Sequence, residues 1–352
     1  MQRARAAIIG LSGLALTAEE AALWRESPPA GAILFARNVA DPAQLAALTR
    51  DIRAVLGDRA PILVDQEGGR VARLGPPHWS AFPPAATFEG LGTEAARANA
   101  ALIGLACREA GIDVVCAPVL DLRLPGRHGI IGDRAFAAQP GEVARLGRTW
   151  VLGLQQAGCI PVVKHVPGHG RALVDSHLEL PRVDAGLDEL AEDCGPFAAL
   201  AGSGAWAMTA HIVYEALDPG RPGTLSRTVI TRVIRRAIGF RGVLVSDDIC
   251  MKALRGDPGA LAQHAIAAGC DLVLHCNGDL DETAALLQDC PPLSAMAEAR
   301  MGAARARMQA LRRPLDAGVL TALRDAFLDA VFTVADPQSA APAGPGMGPY
   351  HA

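Results

Sequence analysis

Residues 160–165 read Ile-Pro-Val-Val-Lys-His, an apolar run without interruption that closes on two ionisable side chains. A strand with one wet face alternates apolar and polar residues. A run without alternation belongs to a strand covered on both faces, as in a parallel sheet. Runs of the same kind punctuate the rest of the chain: AAIIGL (6–11), GAILFA (31–36), PILVDQ (61–66), DVVCAP (113–118), AWAMTA (205–210), GVLVSD (242–247) and DLVLHC (271–276). Helical stretches fill the intervals at 42–56, 93–109, 140–157, 187–201, 226–238, 257–268 and 280–289. The first of these opens directly after Asp41, with an acid suited to the cap and Pro42 suited to the first turn. This strand–helix alternation predicts an α/β chain closed into a (β/α)8 TIM-type barrel. The rival, a doubly wound open sheet, calls for a Gly-rich phosphate turn after the first strand, and LSGLAL at 11–16 is not one. Residues 291–333 carry two further helical patterns, so the expected architecture is a single domain over 1–335 with extra C-terminal helices. The remainder, 336–352, is rich in Pro, Gly and Ala and predicts a disordered tail.

The chain has 352 residues, half of them hydrophobic, which suffices for one large barrel core. A net charge of −4 with no basic block excludes an electrostatic footprint for nucleic acid. The uncharged run Phe197–Tyr214 is interrupted by Gly202, Ser203, Gly204 and His211 and reads as a helix end followed by a strand, so no membrane association is expected. The eight cysteines contain no C-x-x-C and lie largely in apolar runs, which predicts free buried thiols in a reducing compartment. The N-terminus superficially matches a signal peptide. However, Thr17 and Glu20 form a T-x-x-E helix start, and the preceding apolar residues are needed as the first strand. A cytoplasmic monomer is the expectation.

Barrel chemistry collects at the carboxyl ends of the strands. Polar residues at those ends are Asp65, with Glu67, Arg70 and Arg73 following; Asp121, with Arg134 beyond it; Lys164 and His165; His211; Asp247 and Asp248; His275 and Asn277. The loop after 165 is the most informative. KHVPGHG at 164–170 is followed by DSH at 175–177. Asp175 and His177, two positions apart, point the same way in an extended loop. A carboxylate beside an imidazole fixes its tautomer and raises its basicity, so the pair can carry a proton near neutral pH.

KHVPGHG with DSH, together with VSDD (245–248), VDQEGGRVARL (64–74) and IGDRAF (131–136), resembles the β-N-acetylhexosaminidases of glycoside hydrolase family 3, of the single-domain bacterial type. The resemblance implies a retaining exo-β-N-acetylglucosaminidase working through a covalent glycosyl-Asp intermediate. It assigns Asp247 as nucleophile, His177 as general acid/base and Asp175 as its partner. It assigns Asp65, Arg73, Arg134, Lys164 and His165 as substrate-binding residues. It implies neither cofactor nor metal, and a small carbohydrate substrate: a cell-wall muropeptide fragment in peptidoglycan recycling. Val166, Gln66 and Cys250 stand where the family usually has Phe, His and Ser, which bears on fine substrate preference.

Read by residue type alone, several of these positions keep a second meaning. Asp247 and Asp248 are both placed to cap a following helix. Lys164 and His165 also suit a satisfied core pair, and Asp175 and His177 a surface turn. Arg70 reads better as a structural ion pair than as a sugar contact, His169 as a loop organiser, and Cys250 as a space-filling residue. His211 and Met251 suit pocket lining or core packing about equally. Competing functions are a metal-dependent barrel hydrolase drawing on His165, His169, His177, His211 and His275, a Schiff-base aldolase using Lys164, a non-catalytic sugar binder, and a β-glucosidase of the same family.

Overall fold

The computed structural model describes residues 3–126, 129–174, 176 and 178–334. The apolar runs form barrel strands β1 (Arg5–Gly10), β2 (Pro29–Leu34), β3 (Ile62–Val64), β4 (Val114–Val115), β5 (Ile160–Val166), β6 (Trp206–Thr209), β7 (Leu244–Asp248) and β8 (Leu272–His275). Each pairs in parallel with its sequence neighbours. The barrel closes where β1 meets β8, with Ala7 opposite Val273. Both faces of the strands are covered, the inner by opposing strands and the outer by helices. This is why alternation is missing from their sequences.

The expected helices form at α1 (Ala18–Glu26), α2 (Pro42–Leu56), α3 (Thr93–Glu109), α4 (Pro140–Ala157), α5 (Leu187–Leu200), α6 (Pro258–Ala268) and α7 (Leu280–Asp289). Caps fix their starts. Thr17 and Glu20 close a capping box on α1, and Asp41 accepts from Gln44 N at α2. The segment expected at 226–238 forms a π-wound helix, Val229–Ala237. Two terminal helices, α8 (Ala295–Leu311) and α9 (Ala317–Val334), pack outside the barrel against α4 and α3. The proposed tail, 336–352, lies outside the described residues.

Two strands are shorter than the apolar runs suggested. DVVCAP yields only Val114–Val115, and Pro118 beyond it has no N–H to give a ladder. PILVDQ ends its barrel pairing at Val64, and Gln66–Gly68 turns back on Val71–Ala72 as a small antiparallel hairpin over the barrel mouth. Trp150 lies between barrel and helices, with Phe88 and Phe136 edge-on at 5.4 and 5.5 Å. All eight cysteines carry free thiols. Among the described residues no helix is long and apolar enough to cross a membrane.

Candidate active site

The charged and polar strand-end residues meet at the carboxyl mouth. Lys164 is the hub. It lies on β5, which is flanked by β4 and β6, so its ammonium is buried. Nζ lies 2.7 Å from Asp65 Oδ1 and 2.6 Å from Glu67 Oε1. Glu67 in turn receives both nitrogens of a fork from Arg134, at 2.8 Å from Nε and 2.9 Å from Nη2. Arg73 approaches the other oxygen of Asp65 at 3.7 Å and lies over the ring of Phe35. Four of the residues expected to bind sugar, Asp65, Arg73, Arg134 and Lys164, therefore belong to one ion-pair network. Its keystone, Glu67, was noted in the sequence only as a neighbour.

Burial by itself would raise the Glu67 carboxyl, but Arg134 and Lys164 outweigh it and hold the group well below the usual carboxylate range. Burial would likewise strip the proton from Lys164, yet Asp65 and Glu67 keep it charged and raise its pKa. A Schiff-base lysine must be neutral to attack a carbonyl, so this environment argues against the aldolase reading.

The fifth sugar-binding candidate, His165, sits in a second pair. Its Nδ1 lies 2.7 Å from Asp121 Oδ2. Asp121 is fully buried and also accepts from the backbone N–H groups of His165 and His169. The Asp121 carboxyl is raised by burial but held low by His165 and these donors. Asp121 thus orients one imidazole and the start of the following loop together, a role its sequence position did not reveal.

That loop is anchored at its base. Tyr214 OH donates to Gly168 O at 2.9 Å, and Arg171 reaches α5, with Nε 2.8 Å from Asp193 Oδ2 and Nη1 2.7 Å from Glu189 Oε1. His169 organises the loop as expected: its N–H binds Asp121 and its Nε2 lies 3.3 Å from Ser176 Oγ. Asp175 and His177 lie outside the described residues. Ser176 between them is buried, and its carbonyl accepts from Ala253 N at 3.2 Å, in the loop that follows β7.

Asp247 is half-buried near the end of β7. Its Oδ1 accepts from Asp248 N at 2.9 Å, and its charge is felt at His211, His169, Cys116 and Cys276, which lie at this end of the barrel. The adjacent acid ties two loops together: Asp248 Oδ1 accepts from Cys250 N at 3.0 Å and Cys276 N at 3.1 Å. Arg70 binds Asp133 and the carbonyls of Gly129, Ile130 and Ile131, a structural role.

Among the described residues, which do not include His177, the histidines do not assemble into the metal-hydrolase set. His211 spends both ring nitrogens, on Thr224 Oγ1 at 2.7 Å and Asp248 O at 2.9 Å, and His165 Nδ1 is held by Asp121. Among the described residues the group spaced to hold an ion is Cys250, His275 and Glu282, which shares only His275 with that set.

Carboxylates, guanidinium groups and an ammonium held at the carboxyl mouth of a barrel give the dense array of fixed donors and acceptors that suits a polyhydroxylated substrate, and the class that joins this fold to such a site is that of the glycoside hydrolases. The glycosyl hydrolase family 3 N terminal domain matches residues 8–311, and the chain belongs to that family. A β-hexosaminidase of Alkalilimnicola ehrlichii is 40% identical over 307 residues, 84% of this chain and 87% of its own. One from Idiomarina loihiensis is 36% identical over 292 residues, 81% of this chain and 87% of its own. Among solved structures, NagZ from Neisseria gonorrhoeae in complex with N-trifluoroacetyl-D-glucosamine superposes with a TM-score of 0.81 at 31% identity, covering 93% of this chain and 98% of its own. A glycoside hydrolase family 3 β-N-acetylglucosaminidase from Paenibacillus sp. gives 0.78 at 31% identity, over 92% of this chain and 66% of its own.

Proposed function

We propose that the chain is an exo-β-N-acetylglucosaminidase that retains anomeric configuration. Asp247 attacks the anomeric carbon while the glycosidic oxygen leaves with a proton from His177, giving a glycosyl ester. His177 then takes a proton from water, which displaces Asp247 and releases the β-anomer. Asp175 favours the imidazolium that the first step consumes. The carrying observation is the position of Asp247, half-buried at the carboxyl end of β7, while the adjacent Asp248 is tied by backbone N–H donors from the loops after β7 and β8. Supporting it, Ser176, which Asp175 and His177 flank, is tied to the loop after β7. A nucleophile must be held tightly, and a strand end does this, whereas an acid/base serving two steps suits a loop.

Asp65, Arg73, Arg134, Lys164 and His165 would bind the terminal sugar. The Lys164 network would present fixed donors and acceptors to its hydroxyls at little reorganisation cost. The names of the relatives favour N-acetylglucosamine over the glucose of a β-glucosidase. A muropeptide substrate in cytoplasmic peptidoglycan recycling is the physiological role we assign, with the chain acting as a monomer.

The test is trapping with a 5-fluoro N-acetylglucosaminyl donor, followed by digestion and mass spectrometry. The expected result is one sugar on the peptide containing Asp247. A label elsewhere, or α-anomer as first product by NMR, would refute the mechanism.

A further inference from the structure

Beside the sugar site, three side chains of different chemistry converge without an assigned purpose. Cys250 follows the tip of β7, His275 ends β8, and Glu282 stands in the first turn of α7. One donor atom from each, a sulfur, a ring nitrogen and a carboxylate oxygen, lies within 4.8 Å of the others. His275 is fully buried, yet neither of its ring nitrogens has a hydrogen-bond partner among the described residues. A buried imidazole left so costs free energy unless something else satisfies it. Its Nε2 faces Glu282 Oε2 at 3.6 Å, too far for a hydrogen bond. Two ligands bonded at 2.0–2.1 Å to one tetrahedral ion stand roughly 3.3 Å apart, close to this gap.

From this geometry we infer a binding site for one zinc-class divalent cation, liganded by the Cys250 sulfur, a His275 ring nitrogen and a Glu282 carboxylate oxygen. Thiolate with imidazole selects a borderline-soft ion over magnesium or calcium. Three protein ligands leave the fourth place to water. Glu282, with its side chain 52% exposed, lies on the solvent side and has the freedom to close the remaining distance of about an ångström. Outer partners are already present. Asn277 Nδ2 donates to Glu282 Oε2 at 2.6 Å, and Asp279 caps α7 through Glu282 N at 2.9 Å. Burial keeps His275 neutral, as a ligand must be. Burial and Asp248 hold the Cys250 thiol protonated, so binding releases that proton to solvent. The ion would clamp the ends of β7 and β8 to α7, with its sulfur ligand two residues beyond Asp248.

The metal-free full-length protein is titrated with zinc and, separately, with cobalt(II), alongside Cys250→Ala and Glu282→Gln. Expected are one zinc per chain, a thiolate-to-cobalt charge-transfer band, and a zinc-dependent rise in the unfolding midpoint. Cys250→Ala should abolish the band and the rise. Both variants should weaken zinc by more than about tenfold, the scale of loss seen even for outer partners. Zinc held equally by wild type and Cys250→Ala, a cobalt complex without the thiolate band, or no stoichiometric zinc at all would each overturn the inference. These readouts do not involve sugar hydrolysis, so their failure leaves the proposed mechanism standing, and the reverse holds too.

Discussion

Lys164 Nζ lies 2.6 Å from Glu67 Oε1, with both side chains almost sealed from solvent at 3 and 4% exposure. Removing two such charges from water costs several kcal/mol each, and their attraction offsets this only if the remaining hydrogen-bonding capacity is filled. Here it is filled, by Asp65 on one side and the Arg134 fork on the other. The network is therefore a single unit whose members stand or fall together, and it faces the mouth where we place the sugar.

Glu67→Gln should accordingly do more harm than one lost contact suggests. It leaves two buried cations with one fewer anion, and a stability loss of about 3–5 kcal/mol is expected by urea denaturation with the m-value unchanged. If Lys164 and Arg134 do touch the sugar, KM should rise as well. A loss below about 1 kcal/mol would mean that solvent or rearrangement compensates, and the network would not be a positioning device.

Asp247 and Asp248 are adjacent, but their substitution should separate chemistry from structure. Asp247→Ala should abolish turnover while leaving circular dichroism and the unfolding midpoint near wild type. Asp248→Ala removes the acceptor for two backbone N–H groups in the β7 and β8 loops, so it should cost about 1–3 kcal/mol of stability. Activity should then fall only as far as the loop shifts. The reverse pattern would exchange the two roles.

The difference between those acids shows what the chain discloses before any coordinates. The barrel was legible because burial on both strand faces writes uninterrupted apolar runs, and because caps such as Thr17–Glu20 are local in sequence. Strand ends were legible for the same reason, and the polar residues at them meet at one barrel mouth. What stayed hidden depends on contacts made far apart in sequence. Glu67 bridges to Lys164 and Arg134. Asp121 collects two backbone donors and an imidazole from the next strand. Gln66 was visible only as a departure from the family's usual His. Its side chain accepts from Arg73 N at 2.7 Å and Leu74 N at 2.9 Å, and so shapes the hairpin that carries Arg73. The short strand at Val115 was missed because apolar character persists through Cys116 and Ala117 after the ladder stops, and the one at Val64 because the hairpin of Gln66–Gly68 against Val71–Ala72 is set by the chain turning back, not by composition.

Acid should weaken the fold through buried histidine. Burial, reinforced by His165 and only partly opposed by Asp121, lowers His169 from 6.5 to about 4. Between those values the unfolded chain takes up a proton that the folded chain refuses. The contribution is full above about pH 6.5 and disappears as pH falls toward 4, amounting to about 3 kcal/mol. His211 and His275 are lowered by burial too and act in the same direction. His169→Gln should therefore flatten, without abolishing, the fall in stability between pH 6.5 and 4. An unchanged slope would show that His169 is not a source of the acid sensitivity.

Gly170 tests whether the loop base positions the chemistry or merely connects two elements. A Cβ added there would stand 2.3 Å from Leu122 O and 3.0 Å from Leu122 N, backbone atoms that no rotamer change can move aside. Relief requires the two backbones to separate, which would pull on the bond between His169 N and Asp121, the group that also holds His165. Gly170→Ala should thus cost about 1–3 kcal/mol and reduce turnover by more than about tenfold, because small displacements of positioned groups are expensive in rate. Gly302 in α8 is the control. Its added Cβ meets nothing within 4 Å, so Gly302→Ala should stabilise by about 0.5–1 kcal/mol through helix propensity and leave turnover unchanged. Should Gly170→Ala lose stability but keep full turnover, the loop base would hold the fold without setting the geometry of catalysis, and the proton carrier would have to be positioned from the β7 side alone.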